Sequence, residues 1–250
     1  MRIHLFILLL AVVSCSPERQ DDAPITYSRK VLEFKSASPA LSEDMTATLS
    51  YLVLEGGPNP NILHKANQWI GPERFFDQSV EELNLAFQRG EYPFDLAEAE
   101  VVFHSHDVFQ VRWRIVSTAA YTLESLHYSA VDLRTGIPIQ TELMFENDTA
   151  LAYHLNTLFE LLKQERLIEF LNAPLGEEFD TVSTVFENWE FDVVNLEEYL
   201  FSDLGLTFFL PSPLPHAYRD LAGEPLHLFL SWEELAPFAL KDGIMNRFFP

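Results

Sequence analysis

The sequence predicts an α+β fold, an antiparallel sheet packed against helices on one side. Apolar and polar residues alternate strictly along Phe109–Ile115. Phe109, Val111, Trp113 and Ile115 fall on one side and Gln110, Arg112 and Arg114 on the other, the period of a half-buried strand. Elsewhere apolar residues recur at helical spacing, as at Leu151, Leu155, Leu158 and Leu162. Of the 250 residues, 48% are hydrophobic and 21 are Phe, while Cys occurs once. No internal disulfide is possible, so a buried core must hold the fold.

Residues 1–14 have the form of an export signal. Arg2 supplies the positive start and Leu5–Val13 an apolar run too short to span a bilayer as an ordinary helix. Val12-Val13-Ser14-Cys15 resembles a bacterial lipobox. That resemblance implies cleavage before Cys15, attachment of lipid to its sulfur and an envelope protein facing the periplasm or the cell exterior. By the sorting rule that accompanies it, Ser16 in place of Asp favours the outer membrane. Residues 15–24, polar with two Pro, form a tether. The rest divides into a lobe over 25–144 and a second over 145–250.

Ile25–Lys35 is expected as a strand. Its expected partner is the stretch in which Met45, Ala47, Leu49, Tyr51 and Val53 alternate with Thr46, Thr48 and Ser50. Asn59 then caps a helix that starts with Pro60, buries Ile62, Leu63, Ala66, Trp69 and Ile70, and stops at Gly71. Ser79 and Glu82 make a capping box for a helix with Val80, Leu83 and Phe87 inward, ended by Gly90. His64 and Lys65 fall on a solvated helix face. Leu126–Leu133 is a further strand, turning through Asp132–Gly136 into Ile137–Thr141. Asn147 or Asp148 starts a long helix that reaches Leu171.

Near the end, Glu198–Phe201 and Leu206–Leu210 form a hairpin, with Leu206, Phe208 and Leu210 on one face. Pro211, Pro213 and Pro215 take the chain out of the sheet. Leu226–Leu230 is the third strand, and Ser231 with Glu234 caps a short helix. This stretch resembles the C-terminal domain of RsiV-type extracytoplasmic proteins, a family of largely unknown function found in bacterial lipoproteins and anti-sigma factor ectodomains. Leu204-Gly205-Leu206-Thr207-Phe208, Pro211, Tyr218, Gly223 and Trp232-Glu233-Glu234-Leu235 carry the resemblance. Val131-Asp132-Leu133-Arg134-Thr135-Gly136, followed by Leu143-Met144-Phe145, extends it upstream. A Gly-Gly-Ala-His segment of that family is absent, the corresponding residues being Tyr121–His127.

Charge narrows the function classes. The chain carries a net −22, and from Leu167 to Tyr218 it has ten acids and no Lys or Arg. Such a surface repels nucleic acid and attracts cations. Glu177, Glu178, Asp180, Glu187, Glu190 and Asp192 are therefore candidate binding residues for a cationic protein or a cell-wall component such as peptidoglycan. His104 and His106, two apart on an expected strand and next to Asp107, are candidate metal ligands. No Ser nucleophile elbow, phosphate loop, zinc-protease helix or Cys–His arrangement is present, and no cofactor is expected. The residues point to a non-enzymatic envelope binding module. In the RsiV-type anti-sigma factors the related ectodomain binds lysozyme, a cationic protein, and the resemblance implies a ligand of that kind. The alternative is a glycan hydrolase working through carboxylates such as Glu187/Glu190 or Asp192/Glu197.

Overall fold

A computed structural model describes residues 24–35, 46–91, 93–118, 122–171, 179–211, 213–214 and 225–249. Strands β1 (Thr26–Lys35), β2 (Thr46–Glu55), β3 (Leu96–Ser105), β4 (Val108–Thr118) and β5 (Thr122–Asp132) make one sheet in sequence order. β6 (Tyr199–Phe201), β7 (Gly205–Leu210) and β8 (Leu226–Ser231) make a second. The class is the α+β one expected from the sequence. One pair departs from the antiparallel rule: β2 and β3 run parallel, Thr48–Ser50 against Leu96–Glu98. Three helices lie between them, α1 (Pro60–Ile70), α2 (Pro72–Phe76) and α3 (Val80–Arg89), and carry the chain back to the start of the sheet.

The helix ends sit where their caps put them. Asn59 Oδ1 accepts from the N–H groups of Asn61 and Ile62. The Ser79–Glu82 capping box closes, and Gly90 ends α3 at φ +85°, a conformation that favours glycine. α2 has no periodic signal of its own. It follows because Gly71 ends α1 in an extended conformation and Pro72 restarts the helix at once. Within α1, Asn67 hydrogen-bonds both backbone groups of Leu54, at 2.7 and 3.0 Å, fastening the helix to β2.

β2 corrects the expected alternation. Ala47 and Leu49 are buried as expected, but beyond them Ser50, Leu52 and Leu54 are the buried positions. β2 pairs with β3 only as far as Ser50, so its second half is released from β3 and presents its other face to the core. Tyr27, paired with Leu54, reaches Phe109 with ring centroids 5.6 Å apart. The segment after β5 is also shorter than expected. Ile137–Thr141 contributes one bridge, Val131 to Pro138, because Pro138 has no N–H and the chain enters a 3-10 turn at Thr141.

The two faces of β4 belong to two cores. Phe109, Val111 and Trp113 join the first core, with Leu49, Ala99 and Val131 from the sheet and Ile70, Leu83 and Phe87 from the helices. Val108 and Ala130, on the opposite face, join the second. A bulge in β3 between Val101 and Phe103 shifts its register by one residue, which turns Phe103 to the second face. There Phe103 lies 5.6 Å from Phe201.

The second core is covered by α4 (Asp148–Leu171), whose Leu151, Leu155 and Phe159 are fully buried beside Leu206, Phe208 and Leu210 of β7. α5 (Phe179–Glu187) packs on α4. Lys163 is buried on α4 and donates to Trp189 O at 2.8 Å. Buried Gln110 joins the sheets. Its side-chain N–H donates to Tyr199 O at 2.7 Å and its oxygen accepts from Phe201 N–H at 2.9 Å. Arg247, near the C-terminus, holds the end of β5 through two hydrogen bonds to Asp132, at 2.8 and 2.9 Å.

Candidate functional site

β5 is an edge strand, and a cleft opens along that edge. Trp69 at the end of α1 and Arg74 of α2 form one flank. Glu197 and Glu198, just before β6, form the other, with Glu142 from the turn after β5. The cleft has a volume of about 210 Å³. A second cleft of about 260 Å³ shares Arg74, Tyr128, Ser129 and Glu198, so the two adjoin along β5.

Local structure explains why Glu198 faces this space. Tyr199 is buried and donates its hydroxyl to Ile139 O at 2.6 Å. Successive side chains of an extended chain point opposite ways, so burying Tyr199 turns Glu198 out of the core. Glu198 O in turn accepts from Phe209 N–H at 2.9 Å, which fixes its backbone to β7. On the far flank Gly71-Pro72 redirects the chain so that α2 presents Arg74 across the cleft. The guanidinium lies over the Trp69 ring, 5.3 Å from its centroid.

Burial pushes the Glu198 carboxyl up to about 7, the Glu197 charge adds to that, and a hydrogen bond from Tyr128 N–H opposes it. Among the described residues Glu198 has no ion pair. A half-buried carboxylate with no ion pair among the described residues, two further acids beside it and Arg74 held over Trp69 on the opposite flank, gains when a cation enters. The same elevation would suit a proton donor near neutral pH.

The residues singled out in the sequence stand elsewhere. Cys15, Glu177 and Glu178 lie outside the described residues, as does the side chain of Asp180 in α5. Glu187 and Glu190 are exposed. Asp192 is used locally, its carboxylate accepting from Val193 N–H at 2.6 Å as the cap of a 3-10 turn. His104 and His106 do not share a strand face. β3 ends at Ser105, and His106 and Asp107 form the β3–β4 turn at φ +53° and +59°. His104 packs on Phe109 and His106 on Phe248, while Asp107 pairs with Arg134 at 2.6 Å. Among the described residues no three His, Cys, Asp or Glu side chains are grouped to hold a metal. Glu198 was one acid among ten in the sequence, and only tertiary burial distinguishes it.

No family matches the chain at the sequence level, and no curated protein matches it. The fold does have solved counterparts. One is a member of the DUF3298 family from Bacteroides fragilis, with a TM-score of 0.55 and 11% identity over 91% of this chain and 98% of that one. Another is a DUF3298 family protein from Pseudomonas aeruginosa PAO1, with a TM-score of 0.58 and 12% identity over 92% and 98%. The chain folds like DUF3298 proteins. At this identity the likeness concerns the fold alone, and nearly the whole of each DUF3298 chain is covered. Among the described residues no helix is long and apolar enough to cross a membrane.

Proposed function

We propose that this chain is a lipid-anchored envelope protein of the RsiV type whose ectodomain binds a cationic partner, a basic protein or a cell-wall component, at the Glu198 cleft. The observation that carries the proposal is the Glu198 carboxylate, held near neutrality beside Glu197 and Glu142 with no ion pair among the described residues. The net charge of −22 adds long-range attraction for such a partner. Cys15 in its lipobox-like context supports the anchor.

The test is capture by the purified full-length protein, with lysozyme and with an envelope extract, at low and high salt. Capture should weaken with salt and in Glu198→Gln, and weaken further when Glu177, Glu178 and Asp180 become Lys. A cation prefers the ionised carboxylate, so binding should fall as pH drops through about 7, the value to which Glu198 is raised, and Glu198→Gln should remove that step. Salt-independent capture, equal in wild type and Glu198→Gln, would sink the proposal.

A second reading has its own support. Glu142, Glu197 and Glu198 line one cleft, and an acid raised to about 7 is suited to protonate a glycosidic oxygen. Release of sugar from purified cell wall, lost in Glu198→Gln, would favour that hydrolase reading over binding alone.

A further inference from the structure

Resting on the cationic-ligand reading, we infer that the ligand is an extended peptide segment that adds as a strand to the edge of β5 and places a Lys or Arg side chain in the Glu198 cleft. The first support is the direction of the β5 backbone. Asp132 N–H donates outward to Ile137 O at 3.0 Å, and Ala130 O accepts outward from Ile139 N–H at 2.8 Å. Backbone groups alternate sides along a strand, so Tyr128 and Leu126 also direct N–H and C=O away from β4. The chain's own residues 137–139 thus already add to this edge, antiparallel to it. They leave it at Gln140, and the next outward donor, Tyr128 N–H, is taken by the Glu198 carboxylate. One step further, Leu126 has no strand beside its outward N–H and C=O among the described residues.

The second support is how the sheet treats its two edges. β1 carries Arg29, Lys30 and Lys35, charges that deter strand addition. β5 carries no Lys, Arg or Pro along its length. Its Leu123 and Leu126 are 39% and 41% exposed, which gives an added strand apolar contact. The third support is charge. The clefts run along this edge and converge on Glu198, with Glu142 and Glu197 beside it and Arg74, stacked on Trp69, on the facing flank. A strand bound there brings every second side chain to the cleft side, and a cationic one meets the carboxylate. Backbone pairing supplies affinity and the cleft supplies selectivity, the division of labour of strand-addition sites.

The experiment measures binding of blocked ten-residue peptides to the full-length protein by calorimetry. The probes are an alternating Lys/Thr peptide, its Glu/Thr counterpart, and the Lys/Thr peptide N-methylated at every second residue in each of the two registers. The Lys/Thr peptide should bind, and the Glu/Thr peptide should not. N-methylation in one register should weaken binding about tenfold or more, by removing backbone donors, and less in the other. Leu126→Pro removes the outward N–H together with the Leu side chain and should weaken binding by about tenfold, and by more than Leu126→Ala, which keeps the N–H. Equal binding of the parent and both N-methylated peptides would overturn strand addition. So would loss in Glu198→Gln with no loss in Leu126→Pro, which would leave the cationic-ligand reading standing. Failure of the Lys/Thr peptide to bind, with lysozyme still captured through Glu198, would also overturn it. Failure of every cationic probe would remove both.

Discussion

On one face of β4, Phe109, Val111, Trp113 and Ile115 meet α1, α2 and the first core almost entirely through apolar contact. On the other, Gln110, Arg112 and Arg114 meet three different surroundings within five residues. Gln110 is buried against β6, Arg112 pairs with Glu100, and Arg114 bridges Glu98 and Glu124 at the solvent. The apolar face is tolerant of partner and sets stability. The polar face gains little from burial, and it sets which segment docks where, because a carboxamide pairs with one backbone geometry and no other. The second lobe is therefore placed by a few hydrogen bonds, together with the apolar contacts of Phe103, Val108 and Ala130, on a sheet whose other face the first core stabilises.

The largest break should come from the apolar face. Trp113→Ala empties a fully buried site between Phe75 and Phe76 and frees Ile70 O. It should cost about 3–5 kcal/mol, measured as the denaturant midpoint shift. Gln110→Leu keeps the volume but leaves Tyr199 O and Phe201 N–H unpaired, at a cost of about 2–3 kcal/mol. If the polar face governs docking, unfolding should also split into two transitions, and a single transition would contradict that role. Asp132→Asn should cost about 1–2 kcal/mol by weakening the clamp to Arg247. Burial tends to raise the Asp132 carboxyl, but hydrogen bonds from Arg247, Arg134 N–H and Thr135, with the Arg247 charge, outweigh it and hold it below its ordinary value. The stabilisation is thus complete above the ordinary carboxylate range and lost as pH falls through the lowered value. The wild-type advantage over Asp132→Asn should shrink in acid and nowhere else. Smallest is Arg114→Ala, which removes exposed ion pairs to Glu98 and Glu124 and should leave the midpoint nearly unmoved.

The same contrast governs how much could be read from the sequence. Alternation along Phe109–Ile115 and the boxes at Ser79 and Ser231 are local signals with local causes, and the elements stand where those residues put them. The hairpin of β6 and β7 is legible for the same reason. The β3–β4 turn was not, because His106 and Asp107 occupy positions that Asn-Gly would announce. Nor was the bulge before Phe103, since Val101, Val102 and Phe103 are all apolar and either frame suits burial there. Glu198 and Arg74 lie far apart in sequence and converge through the packing of α2 and β6 on β5. Nothing in the composition separates Glu198 from Glu190, since what distinguishes them is solvent access, a property of the folded chain.

The parallel contact between β2 and β3 has a consequence for the order of assembly. Two residues separate β3 from β4 and three separate β4 from β5, so their pairing closes short loops and costs little chain entropy. β2 meets β3 through three residue pairs and only after α1, α2 and α3 have come back across the sheet. The ribbon of β1 and β2 should accordingly be the last part of the large sheet to gain protection in pulse-labelled hydrogen exchange, and the first to lose it in the native state. The end of the sheet rich in Lys and Arg would then be the part that opens, while the edge proposed to receive a ligand stays on the part that forms early.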